Sequence, residues 1–166
     1  MTPQEFSKWL YPIALTFEQT THVPALFLVA QAAVESGWNK SAIGKNLFGI
    51  TAGPSWTGKK QLVQTTEYHD TKDVKYPEII SIVWDANYKK WRYSCKRYFR
   101  DYDTTEECLR DHFKILSQPN FKPAFAFLPD IKLFAQAIQK GGYATDPHYA
   151  DTIMSVVNSV KRHLGI

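Results

Sequence analysis

Ala30-Gln31-Ala32-Ala33-Val34-Glu35-Ser36-Gly37-Trp38, continued by Asn46-Leu47-Phe48-Gly49-Ile50, is the stretch on which the reading of this chain turns. It starts as a strongly apolar helix, because Leu26, Phe27, Val29, Ala30, Ala33 and Val34 leave almost no polar face. One carboxylate, Glu35, stands in the last turn, followed at once by the helix-stopping Gly37 and the indole of Trp38. Desolvation by such neighbours raises a carboxyl pKa, since the charged form loses its water. A carboxyl kept protonated near neutral pH is what a general acid requires. The competing reading is a glutamate at a helix end that simply faces solvent.

Working outward, the 166 residues suit one domain, residues 1–166, long enough to hide roughly two thirds of the unfolded surface. Thr2-Pro3-Gln4-Glu5 is a capping box, and behind it Phe6, Trp9, Leu10, Ile13, Ala14 and Phe17 recur at helical spacing to about Thr20. That stripe is read as core. Pro24 opens the Glu35 helix, and the two helices should pack as an antiparallel pair. From Asn39 to about Lys60 helical periodicity vanishes in a glycine-punctuated loop, where Leu47, Phe48, Ile50 and Trp56 demand burial or a ligand.

Alternation then changes period. Gln61–Tyr68, Ile79–Trp84 and Trp91–Phe99 read as three short antiparallel strands, with a turn at Asp85-Ala86-Asn87. So small a sheet must lean on the helices, which makes it a wing over about 60–102. Thr104-Thr105-Glu106-Glu107 is a second capping box, opening a helix with Cys108, Leu109, His112, Phe113, Ile115 and Leu116 on one face. His112 on that stripe reads as a hydrogen-bonded core histidine before a catalytic one. Residues 119–127 form a short helical segment, Asp130 caps another helix, and Asp146-Pro147 opens the last, buried along Tyr149, Ala150, Ile153, Val156, Val157, Val160 and Leu164. The expected fold is α+β, mainly α: a helical lobe with a small antiparallel β wing.

A carboxylate in the seam between such a lobe and wing suits an extended polymer, and a pair of carboxylates would make a glycosidase. Glu67, at the end of the first strand, is the best second candidate; its plainer reading is an exposed edge-strand charge. Asp101 and Asp103 are weaker, and Asp103 reads as a helix N-cap. Trp38, Phe48, Trp56, Tyr68 and Tyr143 fall in loops or at element ends, where aromatic faces could stack on sugar rings.

Other chemistries lose ground. The five histidines show no metal-ligand spacing, so no metal and no cofactor are expected. Cys95 and Cys108 are read as two buried thiols in preference to one disulfide. The net charge of +4 suggests attraction to a polyanion, but no basic run or stacking strand supports nucleic acid. No apolar run reaches the length of a membrane span, so no membrane insertion is expected. There is no G-x-S-x-G and no phosphate-binding glycine loop. The start Met-Thr-Pro-Gln-Glu shows no signal-peptide pattern, so if the substrate lies outside the cytoplasm, export is expected to use another route.

Five segments in order carry a resemblance: Ala30–Trp38, Asn46–Ile50, Thr66-Glu67-Tyr68, Phe99-Arg100-Asp101-Tyr102, and Gly142–Ala150. Over about residues 20 to 160 the chain resembles the glucosaminidase family of peptidoglycan hydrolases, glycoside hydrolase family 73, which includes flagellar muramidases and autolysins. The resemblance implies a lysozyme-like helical lobe and β wing, acting as a monomer on peptidoglycan glycan strands in the periplasm or outside the cell. It implies cleavage of the β-1,4 bond between N-acetylglucosamine and N-acetylmuramic acid. It makes Glu35 the proton donor, Glu67 the second catalytic group with the substrate's N-acetyl group as a rival for that role, and Tyr143 a positioning group. Trp38, Asn46, Phe48, Tyr68 and Tyr149 become the expected substrate-binding residues, Asn46, Phe48 and Tyr149 by shaping the groove. The wing departs from the family pattern by its length over 70–98. Two alternatives stay open: a lytic transglycosylase or muramidase on the same polymer, and a non-catalytic wall-binding protein.

Overall fold

A computed structural model describes all residues, 1–166. Helix α1 spans Pro3–Thr21 and α2 spans Ala25–Ser36. The wing follows as β1 (Lys60–His69), β2 (Glu78–Asp85) and β3 (Lys90–Arg100). Helix α3 (Thr105–Leu116), a 3-10 segment at Lys122–Phe127, α4 (Ile131–Lys140) and α5 (Tyr149–Leu164) complete the chain.

The helix starts follow local chemistry. Thr2 and Glu5 close the first capping box reciprocally, and Thr104 and Glu107 close the second. Asp103 is therefore not the N-cap: the position belongs to Thr104, whose hydroxyl accepts from the Glu107 amide, while the Asp103 carboxylate pairs with Lys59. Pro24 precedes α2 without a side-chain cap, and the Ala25 amide donates instead to the Glu18 carboxylate of α1. One carboxylate thus ties the second helix to the first across a three-residue connection. Asp130 caps α4 as read from the sequence. Before α5 the Asp146 carboxylate accepts from the His148 amide, so the helix begins at Tyr149 without a side-chain cap of its own.

Helix α2 is the central strut. Nine of its twelve residues are buried, and it packs chiefly on α5 and α1. Phe27 meets the edge of Phe134 from α4 at 4.9 Å, and Phe125 meets the same ring at 5.5 Å. On α1 the stripe sorts by depth: Phe6, Leu10 and Ala14 are fully enclosed, and Trp9, Ile13 and Phe17 pack at its margin.

The wing is antiparallel in the order β1-β3-β2, so both β1 and β2 are edges. β1 runs in unbroken register along β3 from Lys60 opposite Arg100 to His69 opposite Trp91. Asp85 forms the turn by accepting from the amides of Asn87 and Tyr88. Residues 50–52 take up the other edge of β3 at its far end: the Arg100 amide donates to Ile50, and the Ala52 amide to Tyr98. The loop that leaves α2 is thereby sewn to the sheet. Cys95 and Cys108 are both free, buried thiols, one in the wing and one in the helical lobe.

Candidate active site

Glu35 occupies the end of α2, where the backbone leaves the helix through three successive left-handed residues. Gly37 has φ 55°, Trp38 60° and Asn39 68°. Glycine adopts this region freely, but a tryptophan and an asparagine there hold strain of order 1–3 kcal/mol each. Ser36 restrains the reversal, since its hydroxyl accepts from the Asn39 amide and its carbonyl from the Ser41 amide. The strain is stored three and four residues beyond the carboxylate.

Beside Glu35 lies a cavity of about 290 Å³, open to solvent. Phe48, Gly49, Ile50 and Thr51 form one wall; His112 and Ile115 of α3 and Tyr143 form the other. Burial raises the Glu35 pKa above the ordinary carboxylate range. The side chain is nonetheless exposed on the cavity side, so the burial that lifts its pKa comes from the protein behind it, and the desolvation expected of its neighbours is incomplete. Substrate must supply the remaining exclusion of water. The Glu35 charge is felt by both Tyr143 and Tyr149, whose phenols are pushed up mainly by burial and secondarily by that charge. Tyr143 is therefore a hydroxyl donor at neutral pH.

A buried polar chain runs behind the cavity. Gln31 lies four residues before Glu35, on the same face of α2, and is fully enclosed. Its amide nitrogen donates to the Tyr149 hydroxyl at 2.7 Å, and its oxygen lies 2.6 Å from His112 Nε2. Since that oxygen can only accept, the His112 proton resides on Nε2, and Nδ1 is a buried acceptor without a partner. Phe48 stacks flat on the His112 ring, 3.7 Å between centroids and 6° between planes.

Asn46 pins the loop that carries Phe48. Its side-chain nitrogen donates to the carbonyls of Ile50 and Arg100, and its oxygen accepts from the Phe48 and Ile50 amides. It is 1% exposed, with every polar atom spent inside. Asn46 thus shapes the groove from within and offers nothing to substrate. Tyr149, 4% exposed, is likewise an internal support. Trp38 turns away from the cavity: its ring packs edge-on to Phe6 and His163 at 5.8 Å each, between α1 and α5. Tyr68 sits far along the wing against Tyr88, centroids 4.7 Å apart. Trp56 lies under the Arg100 guanidinium, 4.5 Å from ring centre to Cζ, and bonds the Lys59 carbonyl. Of the aromatic candidates, Phe48 and Tyr143 reach the cavity.

Glu67 is on the face of β1 shared with Thr65 and His69, a quarter exposed and paired with Arg97 at 3.0 Å. It lines no cavity with Glu35, whose own pKa shift carries no contribution from it. Asp101 is structural, accepting from Gln61 and from the Lys45 and Tyr102 amides. Gln31 and Arg97 are not among the residues the sequence assigns to the site, and His112, read as a core histidine before a catalytic one, is fully buried and also lines the cavity. Gln31 had a legible signal, as a lone amide four residues before the carboxylate on an otherwise apolar helix. No cluster of three or more His, Cys, Asp or Glu is arranged to hold a metal ion.

A helical lobe with a small antiparallel β wing, and one carboxylate of raised pKa at a helix end beside an open cavity, define a lysozyme-like glycoside hydrolase domain. Residues 11–162 match the glucosaminidase family model, described as mannosyl-glycoprotein endo-beta-N-acetylglucosaminidase, and the chain belongs to that family. It is 31% identical to the peptidoglycan hydrolase FlgJ of Pseudomonas aeruginosa over 98% of its own length and 38% of that protein's. The chain spans half or less of the FlgJ relatives it matches. Among solved structures it resembles a peptidoglycan hydrolase from Sphingomonas sp. A1, with a TM-score of 0.67, 34% identity and 98% and 93% of the two chains covered. The glycoside hydrolase domain of Salmonella typhimurium FlgJ gives a TM-score of 0.73 at 28% identity, covering 99% and 92%.

Proposed function

We propose that residues 1–166 form a single catalytic domain, with its wing at about 60–102, that hydrolyses the β-1,4 bond between N-acetylglucosamine and N-acetylmuramic acid in peptidoglycan. The observation that carries this reading is Glu35: a carboxyl with a raised pKa beside an open cavity walled by Phe48, Ile50 and Tyr143, whose loop at 50–52 is bonded to the wing. Glu35 gives its proton to the bridging oxygen as the bond to the anomeric carbon breaks, and the Tyr143 hydroxyl positions the sugar beside it. Water then completes the cleavage, activated by Glu67 once the wing and its Arg97 partner bring it to the substrate, or after participation of the N-acetyl group. The protein acts as a monomer on glycan strands, in the periplasm or outside the cell. The test is purified sacculi with wild type and Glu35→Gln: wild type should release fragments ending in reducing N-acetylglucosamine, and the variant none.

A second reading has its own support, because Glu35 is the sole carboxylate lining the cavity. A lytic transglycosylase needs one such group and leaves 1,6-anhydro-muramic acid, which mass spectrometry of the same digest distinguishes. Sacculi left intact by the wild type would return the chain to the class of wall-binding proteins.

A further inference from the structure

Next to the Glu35 cavity runs a second groove, and Thr51 lines both. Its other walls carry Lys60, Lys75 and Arg97 over the rings of Tyr76 and Tyr98, and no aspartate or glutamate lines it. Lys60 Nζ sits 4.4 Å above the Tyr98 ring, and the Arg97 guanidinium 5.7 Å from that of Tyr76. Arg97 is shared with Glu67, but neither Lys60 nor Lys75 has an ion-pair partner. The contrast within the molecule is informative. The charged groove around Lys59, Arg110 and Lys114 is interleaved with Asp101, Asp103 and Asp111, so its charges cancel locally. In the Thr51 groove the positive charge is left standing.

We propose that this groove is a carboxylate-binding subsite for the stem peptides of the glycan strand; the proposal rests on the peptidoglycan reading. The Glu35 cavity presents aromatic, aliphatic and neutral polar surface suited to a sugar. Beyond Thr51 the surface turns cationic. A muramic acid residue carries its peptide on a lactyl ether, so a strand seated at Glu35 projects carboxylates a short distance to one side. Lys60 and Lys75 are point charges on flexible stems that follow such groups without demanding one geometry. Because they are exposed, each contact is weak and salt-sensitive, and the pair together amounts to about tenfold in affinity.

The test separates this proposal from the hydrolytic reading by measuring binding without turnover. The full chain carrying E35Q is titrated with a disaccharide bearing a tetrapeptide and with the same disaccharide lacking it. The peptide-bearing ligand should bind about tenfold tighter at low salt. Adding K60Q and K75Q should erase that advantage and leave the Kd for the peptide-free sugar unchanged. Equal affinity for the two ligands, an advantage that survives the double substitution, or no measurable binding of either ligand would overturn the subsite. A wild-type chain that binds as expected but cuts no glycan would sink the hydrolytic reading alone.

Discussion

Acidification should destabilise this protein through one residue, His112. Its ring is fully enclosed between Phe48 and Gln31, and burial depresses its pKa from 6.5 to about 3, with Asp111 acting weakly in the opposite sense. A depressed histidine pKa means that the unfolded chain binds the proton first, so stability is complete above 6.5 and is lost as pH falls toward 3. At pH 5 the unfolded imidazole is favoured by protonation about thirtyfold over the folded one, a loss of about 2 kcal/mol, rising to about 3 kcal/mol at pH 4. With a urea slope near 2 kcal/mol per molar, that is a fall of about 1 M in the midpoint between pH 7 and pH 5. The comparison is wild type against His112→Gln, which cannot titrate and keeps a donor for the Gln31 oxygen. Glu35, whose raised pKa works in the opposite direction over its own window, is present in both proteins and cancels. The expected result is a midpoint whose change with pH is about 1 M smaller in the variant. Parallel curves for the two proteins would refute the argument that His112 is held neutral by its enclosure.

Glu35→Gln should lower wall hydrolysis by about a thousandfold, with a Tm at pH 7 no lower than wild type, because a raised carboxyl pKa means the folded state disfavours the charge. In the wild type, activity that depends on the Glu35 proton should fall as pH rises through that raised pKa; a rate that climbs there would remove Glu35 from the acid role. Glu67→Gln should reduce kcat by about tenfold or more and leave KM nearly unchanged; an unaltered kcat transfers the second catalytic function to the N-acetyl group. Asn46→Ala leaves the Phe48 and Ile50 amides and the Arg100 carbonyl without their partner, costing about 3 kcal/mol and about 6–12 °C in Tm, and a drop within about 2 °C would show that the loop is held by other means. Cys108, its thiol pushed up to about 12 by burial, should resist alkylation in the folded protein and react only on unfolding; rapid native-state labelling contradicts that.

Most of the frame was legible because it rests on local rules. Both capping boxes, the three strands and the all-apolar α2 follow from spacing and from side-chain groups that bond within three or four residues. The same locality explains the errors. Asp103 reads as well as Thr104 for an N-cap until the backbone shows which hydroxyl faces the Glu107 amide, with Asp103 drawn off to Lys59. Trp38 stands three residues from Glu35, yet the left-handed run at 37–39 sends its ring to the far side of the helix.

The sequence by itself determined the element order, the burial of α2 and a carboxylate at its end, because helix periodicity, glycine and capping act over a few residues. Tertiary structure alone decided what surrounds that carboxylate. Phe48, His112 and Tyr143 come from three distant segments, Glu67 is drawn to Arg97, and Asn46 spends all its polar atoms on holding its loop. Desolvation, ion pairing and hydrogen-bond saturation depend on which groups meet across the fold, and no local pattern encodes those meetings.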